Sequence, residues 1–307
     1  MNVSLWLLLA LIVPFMLAAV NMIDKLVVDR HISTTLLYPF YVGIVEVVLA
    51  TTLLTTLLLT GLEDADWRVI GGAMAMGSLR GISLATMVLA LRLEQVSRVI
   101  ALWFLNPIMV VGMAVAFLSE SISVLAIGAI AMASLGAGVV SWTGGKTSGG
   151  FMPPRVIVLA LVSALAWATA NILTKQFVDD ESFWQLYFGS RAGFGAVMMV
   201  LIFSKEVRRA ARTEWRSRPL IGLFLLAELI VTISLILYYS AINLGPVSLV
   251  SAIGAIQPLT VLIYSIALAL LFPAIFSGWV TRGRGKLVPQ LIGTLVLAVG
   301  VSIVSVQ

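Results

Sequence analysis

Ten long apolar runs leave this chain almost no room for a water-soluble design. They span Leu5–Val28, Thr34–Gly61, Val69–Leu91, Val96–Leu118, Ile122–Trp142, Val156–Phe177, Phe183–Phe203, Leu220–Leu244, Val247–Phe272 and Leu287–Val306. A helix that crosses a bilayer needs about 20 apolar residues, so ten crossings consume roughly 200 to 220 residues and leave about ten per connection. The 307 residues match that count. Most runs lack period-2 alternation, which argues against a membrane β-barrel. In lipid the backbone must then satisfy itself, and helices do so.

Charge supports the same reading. Only 11% of the residues are charged, against about 25% in soluble globular proteins. That excludes a soluble enzyme, a nucleic-acid-binding domain and a disordered chain. No cysteine is present, hence no disulfide, thiolate nucleophile or zinc–thiolate site, and His31 is the sole histidine. His-Glu-x-x-His and Gly-x-Ser-x-Gly are both missing, so neither an enzyme nor a bound metal or cofactor is expected. The first run is too long for a secretory signal and no Lys or Arg precedes it, so it is expected to stay as the first helix.

The connections carry most of the basic residues. Those between odd-numbered runs and their successors hold fifteen of the 19, including Lys25, Arg30, Arg92, Arg98, Lys205, Arg208, Arg209 and Arg212. The even-numbered connections hold Arg68 and Lys175. The positive-inside rule puts the odd connections in the cytoplasm and both termini outside. The basic segment from Lys205 to Arg218 reads as an amphipathic stretch facing anionic lipid, not nucleic acid. Gly145-Lys146-Thr147 is no phosphate loop, because position 140 is Val140 and no strand precedes it. Residues 144–155 read as a linker between repeats at 1–143 and 156–307. Asp179-Asp180-Glu181 reads as a solvated loop suited to a helix N-terminus. Trp6, Trp67, Trp142 and Trp279 lie near run ends, as interfacial tryptophans do.

The halves resemble each other. Asn21 and Lys25 recur 150 positions on as Asn171 and Lys175. Ala90, Leu93, Val96-Ser97 and Asn106-Pro107 recur at an offset of 151 as Ala241, Leu244, Val247-Ser248 and Gln257-Pro258. With five runs per half, the second half enters the membrane inverted. The expected fold is an all-α membrane protein of ten helices in two inverted five-helix repeats, an architecture suited to alternating access.

Ionisable groups at bilayer depth mark candidate sites. Glu46, Arg80, Arg191 and Glu228 sit near the middles of runs two, three, seven and eight. Each acid has an arginine on the neighbouring helix of its own half, so two buried pairs are one reading and a substrate or proton site is another. Glu46 and Glu228 are the proton-coupling candidates. Lys25 and Lys175 either snorkel to headgroups or serve the site with Asn21 and Asn171. If the acid–base pairs neutralise, the two lysines favour an anionic or zwitterionic substrate. Pro107 and Pro258 interrupt their helices and offer a hinge or cavity backbone. Gly77 and Gly81 form a helix-packing pair. Trp103 and Tyr239 lie deep enough to line a pocket, and His31 falls in a loop.

Taken in order, these segments resemble the drug/metabolite transporter superfamily, in particular its EamA-type ten-helix members. The resemblance is carried by Asn21…Lys25, Ala166-Trp167…Asn171…Lys175, the run from Leu237 to Pro246, Gln257-Pro258, Asn106-Pro107, Ser119-Glu120-Ser121-Ile122 and Gly128. It implies transport of a small metabolite, often export, through a cavity between the halves of a multi-pass protein in a bacterial or archaeal plasma membrane. Two features depart from the family. Leu271-Phe272 stand where Glu120 would repeat, and bacterial members generally keep both termini inside. The partners expected are a small molecule and membrane lipids. One chain holds both halves, so a monomer suffices and a homodimer is compatible. A flippase for a lipid-linked phosphate and a non-transporting membrane subunit are the alternative readings.

Overall fold

The computed structural model describes residues 5–31, 34, 36–60, 66–94, 96–141, 152–178, 183–214, 218–273 and 284–304. Among them it is all-helical. The helices are α1 (Leu5–His31), α2 (Leu37–Thr60), α3 (Trp67–Leu93), α4 (Val96–Trp103), α5 (Asn106–Leu118), α6 (Val124–Ser141), α7 (Pro154–Phe177), α8 (Phe183–Met199), α9 (Lys205–Glu214), α10 (Arg218–Leu244), α11 (Val247–Ile253), α12 (Gln257–Leu271) and α13 (Arg284–Val304). His31, expected in a loop, ends α1 instead. The linker expected at 144–155 lies outside the described residues as far as Phe151, as do Asp179-Asp180-Glu181, Trp142 and Trp279.

Among the described residues, seven helical spans are long and apolar enough to cross a membrane: Leu5–Val27, Leu37–Thr56, Trp67–Leu93, Pro154–Phe177, Phe183–Phe203, Ile221–Leu244 and Val247–Leu271. Three shorter apolar helices accompany them, Asn106–Leu118, Val124–Val139 and Ile292–Val304. Large apolar side chains such as Phe15, Val124, Leu225 and Leu270 point outward. Apolar surface on that scale suits lipid, not water. The chain is an integral, multi-pass membrane protein.

Two of the ten apolar runs break. Pro107 has no N–H to donate to the carbonyl of Trp103 and its ring crowds that turn. The Asn106 side chain takes over, with Nδ2 donating to the Trp103 carbonyl at 2.9 Å. The chain thus divides into α4 and α5 without orphaning the oxygen. In the other run, a 3-10 turn at Gly254–Ile256 separates α11 from α12, and Pro258 stands in the first turn of α12.

The helices do not pack evenly. α3 lies along α8 and α7, α1 along α10, α2 along α8, and α6 along α13. α3 and α8 approach closest, because glycines face backbone across the contact. A Cβ on Gly77 would collide with the Ser190 carbonyl, and one on Gly193 with the Met74 carbonyl. Gly81 faces Val197 and Phe194 in the same seam. This is small-residue packing of the kind that lets membrane helices touch. α2 and α10, by contrast, barely meet.

The amphipathic segment after α8 is a helix, α9. Its buried Val207 and Ala210 join a cluster with Val27, Leu37, Phe40, Tyr41 and Phe224. Lys205, Arg208, Arg209 and Arg212 face outward. Glu206 ties α9 to two other connections: Thr34 Oγ1 donates to it, and Arg92 Nη2 lies 3.3 Å away. The Thr34 hydrogen bond and the nearby Arg92 hold the Glu206 carboxyl below the usual carboxylate range. This tie is therefore present above that range and lost as pH falls through the depressed value.

The α3–α8 seam gives a test. Gly77→Ala forces backbone apart and is expected to cost about 1–3 kcal/mol. Gly112→Ala, with nothing within 4 Å of the added carbon, should change little. Melting of the detergent-purified variants checks this, and equal melting temperatures would refute the seam.

Candidate functional site

A cavity of about 270 Å³ opens between the helices. α1 contributes Val13, Pro14, Leu17 and Asp24; α2 contributes Tyr38 and Glu46; α3 contributes Arg80. Trp103 and Phe104, Asn106 and Pro107 come from the α4–α5 break, and Gly254, Ala255 and Gln257 from the α11–α12 break. α7 adds Trp167 and Asn171, α8 adds Ser190 and Arg191, and α10 adds Glu228, Tyr238 and Tyr239. Most of this wall is apolar. The helix breaks thus face the cavity, where irregular backbone is tolerated at membrane depth.

Arg191 is the centre of one polar network. It is 1% exposed. Nη1 donates to Glu46 Oε1 and lies 3.6 Å from Glu228 Oε2. Nη2 donates to the Tyr187 hydroxyl at 2.6 Å and to Thr232 Oγ1 at 3.1 Å. One guanidinium therefore joins α2, α8 and α10. The expectation of one acid–base pair per half is corrected here. Glu228 meets Arg191, but Glu46 bonds Arg191 across the halves instead of Arg80. One terminal nitrogen, Nη1, faces both carboxylates, while Nη2 turns to Tyr187 and Thr232.

Arg80 is left in a different setting. Nη1 donates to the Tyr239 hydroxyl at 2.7 Å and Nη2 to Thr174 Oγ1 at 3.2 Å. Its guanidinium sits 4.9 Å from the Tyr239 ring centre, 5.3 Å from that of Trp167 and 5.8 Å from that of Tyr238. The Trp167 ring in turn contacts Trp103, with centroids 5.8 Å apart. Among the described residues no carboxylate lies within ion-pair distance of Arg80, and its buried Nε lacks a hydrogen-bond partner. Ring faces offset part of the cost of a buried cation. They do not neutralise it.

Asn171 also lines the cavity; Nδ2 donates to Ser251 Oγ at 3.4 Å, and its buried Oδ1 accepts nothing. Asn21 is half-buried and Lys25 exposed, and neither borders the cavity. Lys175 does not border it either. Its ammonium donates to the carbonyls of Ile242, Asn243 and Gly245 at 2.7, 3.1 and 3.0 Å. These carbonyls lie at the end of α10, where a cation is favoured. Just beyond, Glu120 accepts from Val247 N at 2.8 Å and from Ser248 Oγ at 2.6 Å, capping α11. Pro107 borders the cavity; Pro258 does not.

Sequence reasoning missed Asp24, which borders the cavity and whose buried Oδ1 has no partner. Its place beside Lys25 near the end of a run disguised it as part of a polar connection.

The Arg191 network can be tested by subtraction. Arg191→Met leaves two buried carboxylates without a cation and is expected to destabilise by about 3–5 kcal/mol. Adding Glu46→Gln and Glu228→Gln should recover much of the loss. A triple variant that melts no higher than Arg191→Met would show that the charges are not what binds these helices.

Comparison with known proteins fits this geometry. Residues 154–306 match the EamA-like transporter family. No curated protein matches the sequence. One solved crystal structure of a protein is similar over 98% of this chain and 96% of its own, at 17% identity and a TM-score of 0.68. At that identity the likeness speaks for the fold alone. Through its second half the chain belongs to the EamA-like transporter family, within the drug/metabolite transporter superfamily.

Proposed function

We propose that this chain is a secondary transporter that moves a small zwitterionic or anionic metabolite by alternating access, with the central cavity as its binding site. The observation that carries the reading is Arg80: a buried cation with no carboxylate partner among the described residues, bordering a cavity and flanked by aromatic rings. A substrate carboxylate or phosphate would complete its charge, and the apolar walls suit an aliphatic or aromatic remainder. Glu46 and Glu228 border the same cavity and would receive a substrate ammonium.

We further read the fold as ten membrane spans in two inverted repeats. Helix boundaries support this. α3 and α10 both have 27 residues, and α4 and α11, then α5 and α12, begin 151 positions apart. In such a repeat the halves exchange conformations during transport. Lys175 now closes against the end of α10. Its equivalent, Lys25, would close against the end of α3, at the carbonyls of Leu91, Arg92 and Glu94, when the cavity faces the other side. On this reading a single chain suffices.

Two experiments follow. The first is a melting-shift screen of the purified protein with amino acids, carboxylates and sugar phosphates. An anionic or zwitterionic compound should raise the melting temperature. Arg80→Gln should weaken that binding about 10- to 100-fold, the worth of a lost charged hydrogen bond. Undiminished affinity would remove Arg80 from the site. The second uses the absence of native cysteine. Lys25→Cys with Leu93→Cys, and Lys175→Cys with Leu244→Cys, should cross-link in alternate molecules and not together. Both cross-links in one molecule would overturn alternating access.

A further inference from the structure

Helix α9 lies outside the cavity and carries two unlike faces. Lys205, Arg208, Arg209 and Arg212 follow one another at i, i+3, i+4 and i+7, so they share one side of the helix, and all four are exposed. Val207 and Ala210 take the opposite side and are buried in a cluster with Val27 of α1, Leu37, Phe40 and Tyr41 of α2 and Phe224 of α10. Glu206 and Glu214 fall off the basic side by helical position. Among the described residues, Lys205, Arg209 and Arg212 have no carboxylate within ion-pair distance. Arg208 is engaged in part: Nη1 donates to the carbonyls of Ile202 and Phe203 at 2.9 and 3.1 Å, where the membrane span gives way to α9.

The depth of this face follows from the span that leads to it. Phe183–Phe203 has 21 residues, roughly 30 Å of helix, which matches the hydrocarbon core of a bilayer. Exposed Trp184 marks its start as one interface. There the Asp66 N–H donates to Gln185 Oε1 at 2.9 Å, which brings the start of α3, with its exposed Trp67, to the same level. The far end of the span is Phe203, 77% exposed, preceded by exposed Val200. Two residues after Phe203 the basic row begins. Apolar side chains that suit acyl chains thus run directly into cations that suit headgroups. A free cationic row at that level, continuous with a lipid-facing surface, complements the phosphates of anionic lipids.

We propose that the outward face of α9 is a docking surface for anionic phospholipids, with Lys205, Arg209 and Arg212 receiving headgroup phosphates, and that the docked lipid clamps α9 against the ends of α1, α2 and α3. The clamp works from both sides of the helix. On the inner side the cluster around Val207 and Ala210 holds α9 to α1 and α2. Glu206 fastens the flank, accepting from Thr34 and standing 3.3 Å from Arg92 at the end of α3. On the outer side the phosphates supply the counter-charge that the basic row lacks. A helix of ten residues is marginal by itself, so α9 depends on both sides for its order. Each basic side chain near an anionic membrane surface strengthens binding about five-fold. The site needs nothing from the cavity and holds whatever the chain transports.

The experiment adds dioleoyl-phosphatidylglycerol to the protein in a neutral detergent, with dioleoyl-phosphatidylcholine and inorganic phosphate as the other arms. It reads the lipid retained, by native mass spectrometry, and the melting temperature. Phosphatidylglycerol should be retained and should raise the melting temperature, as a ligand of the folded state does. Phosphatidylcholine and inorganic phosphate should not, and high salt should shrink the shift. Lys205→Gln with Arg209→Gln and Arg212→Gln should weaken phosphatidylglycerol binding about 100-fold and abolish the shift. An unchanged melting temperature in detergent alone establishes that this variant folds, since the three side chains are exposed. Arg68→Gln, at an exposed residue near the opposite end of α3, should behave as the wild type. A triple variant that keeps the shift overturns the proposal. So does an equal shift from phosphatidylcholine, or from inorganic phosphate, which would make the face a site for soluble anions. Phosphatidylglycerol retained on α9 without a rise in melting temperature overturns the clamp.

Discussion

One buried guanidinium ties together helices that would otherwise have little reason to stay in register. α2 and α10 barely touch, yet Glu46 on the first and Glu228 on the second both meet Arg191 on α8. In the membrane interior no water competes for these charges, so each group must find its partner within the protein. An ion network of this kind is weak evidence for net stability, since apolar replacements often do as well. Its value lies in fixing a spacing. The network holds α2 and α10 at the distance of a shared arginine, leaving between them the volume that becomes the cavity. Tyr187 and Thr232 occupy the other side of the guanidinium, which leaves it little freedom to turn.

The opposite seam is built from a different physics. α3 and α8 meet through glycines, with backbone close against backbone at Gly77 and Gly193. That contact is close and largely non-polar. One pair of helices is thus held apart by charge and another drawn together by small residues. The asymmetry places Arg80, on α3, where its guanidinium reaches past the seam toward Trp167, Tyr238 and Tyr239. The two arginines look equivalent in composition. Their surroundings give one of them two carboxylates and the other a set of ring faces.

Much of this architecture is readable from the sequence, because lipid allows so few alternatives. The apolar runs locate the helices, Pro107 and Pro258 mark the two broken ones, and Glu46, Arg80, Arg191 and Glu228 stand out as charges at depth. Partner choice is less accessible. The expectation that Glu46 would meet Arg80 follows from neighbouring helices within one half, whereas contacts across the halves decide the outcome. Periodicity along a helix says which residues share a face; it does not say which helix lies opposite. Lys175 illustrates a second limit. Its polar head could be assigned to headgroups or to a site, but a third option, the carbonyls at the end of α10, requires knowing that this end lies alongside. Asp24 was hidden by its position, since the last turns of a run look alike whether they border a cavity or the interface.

The aromatic lining has an optical consequence. Trp103 and Trp167 border the cavity with their rings in contact, and Trp167 lies beneath the Arg80 cation. An indole's emission depends on the electric field across its ring. Any group that neutralises Arg80 alters that field, and any group that fills the apolar volume displaces what surrounds both indoles. The chamber therefore carries its own fluorophores, and its occupancy is written into the intrinsic emission of the protein without a label.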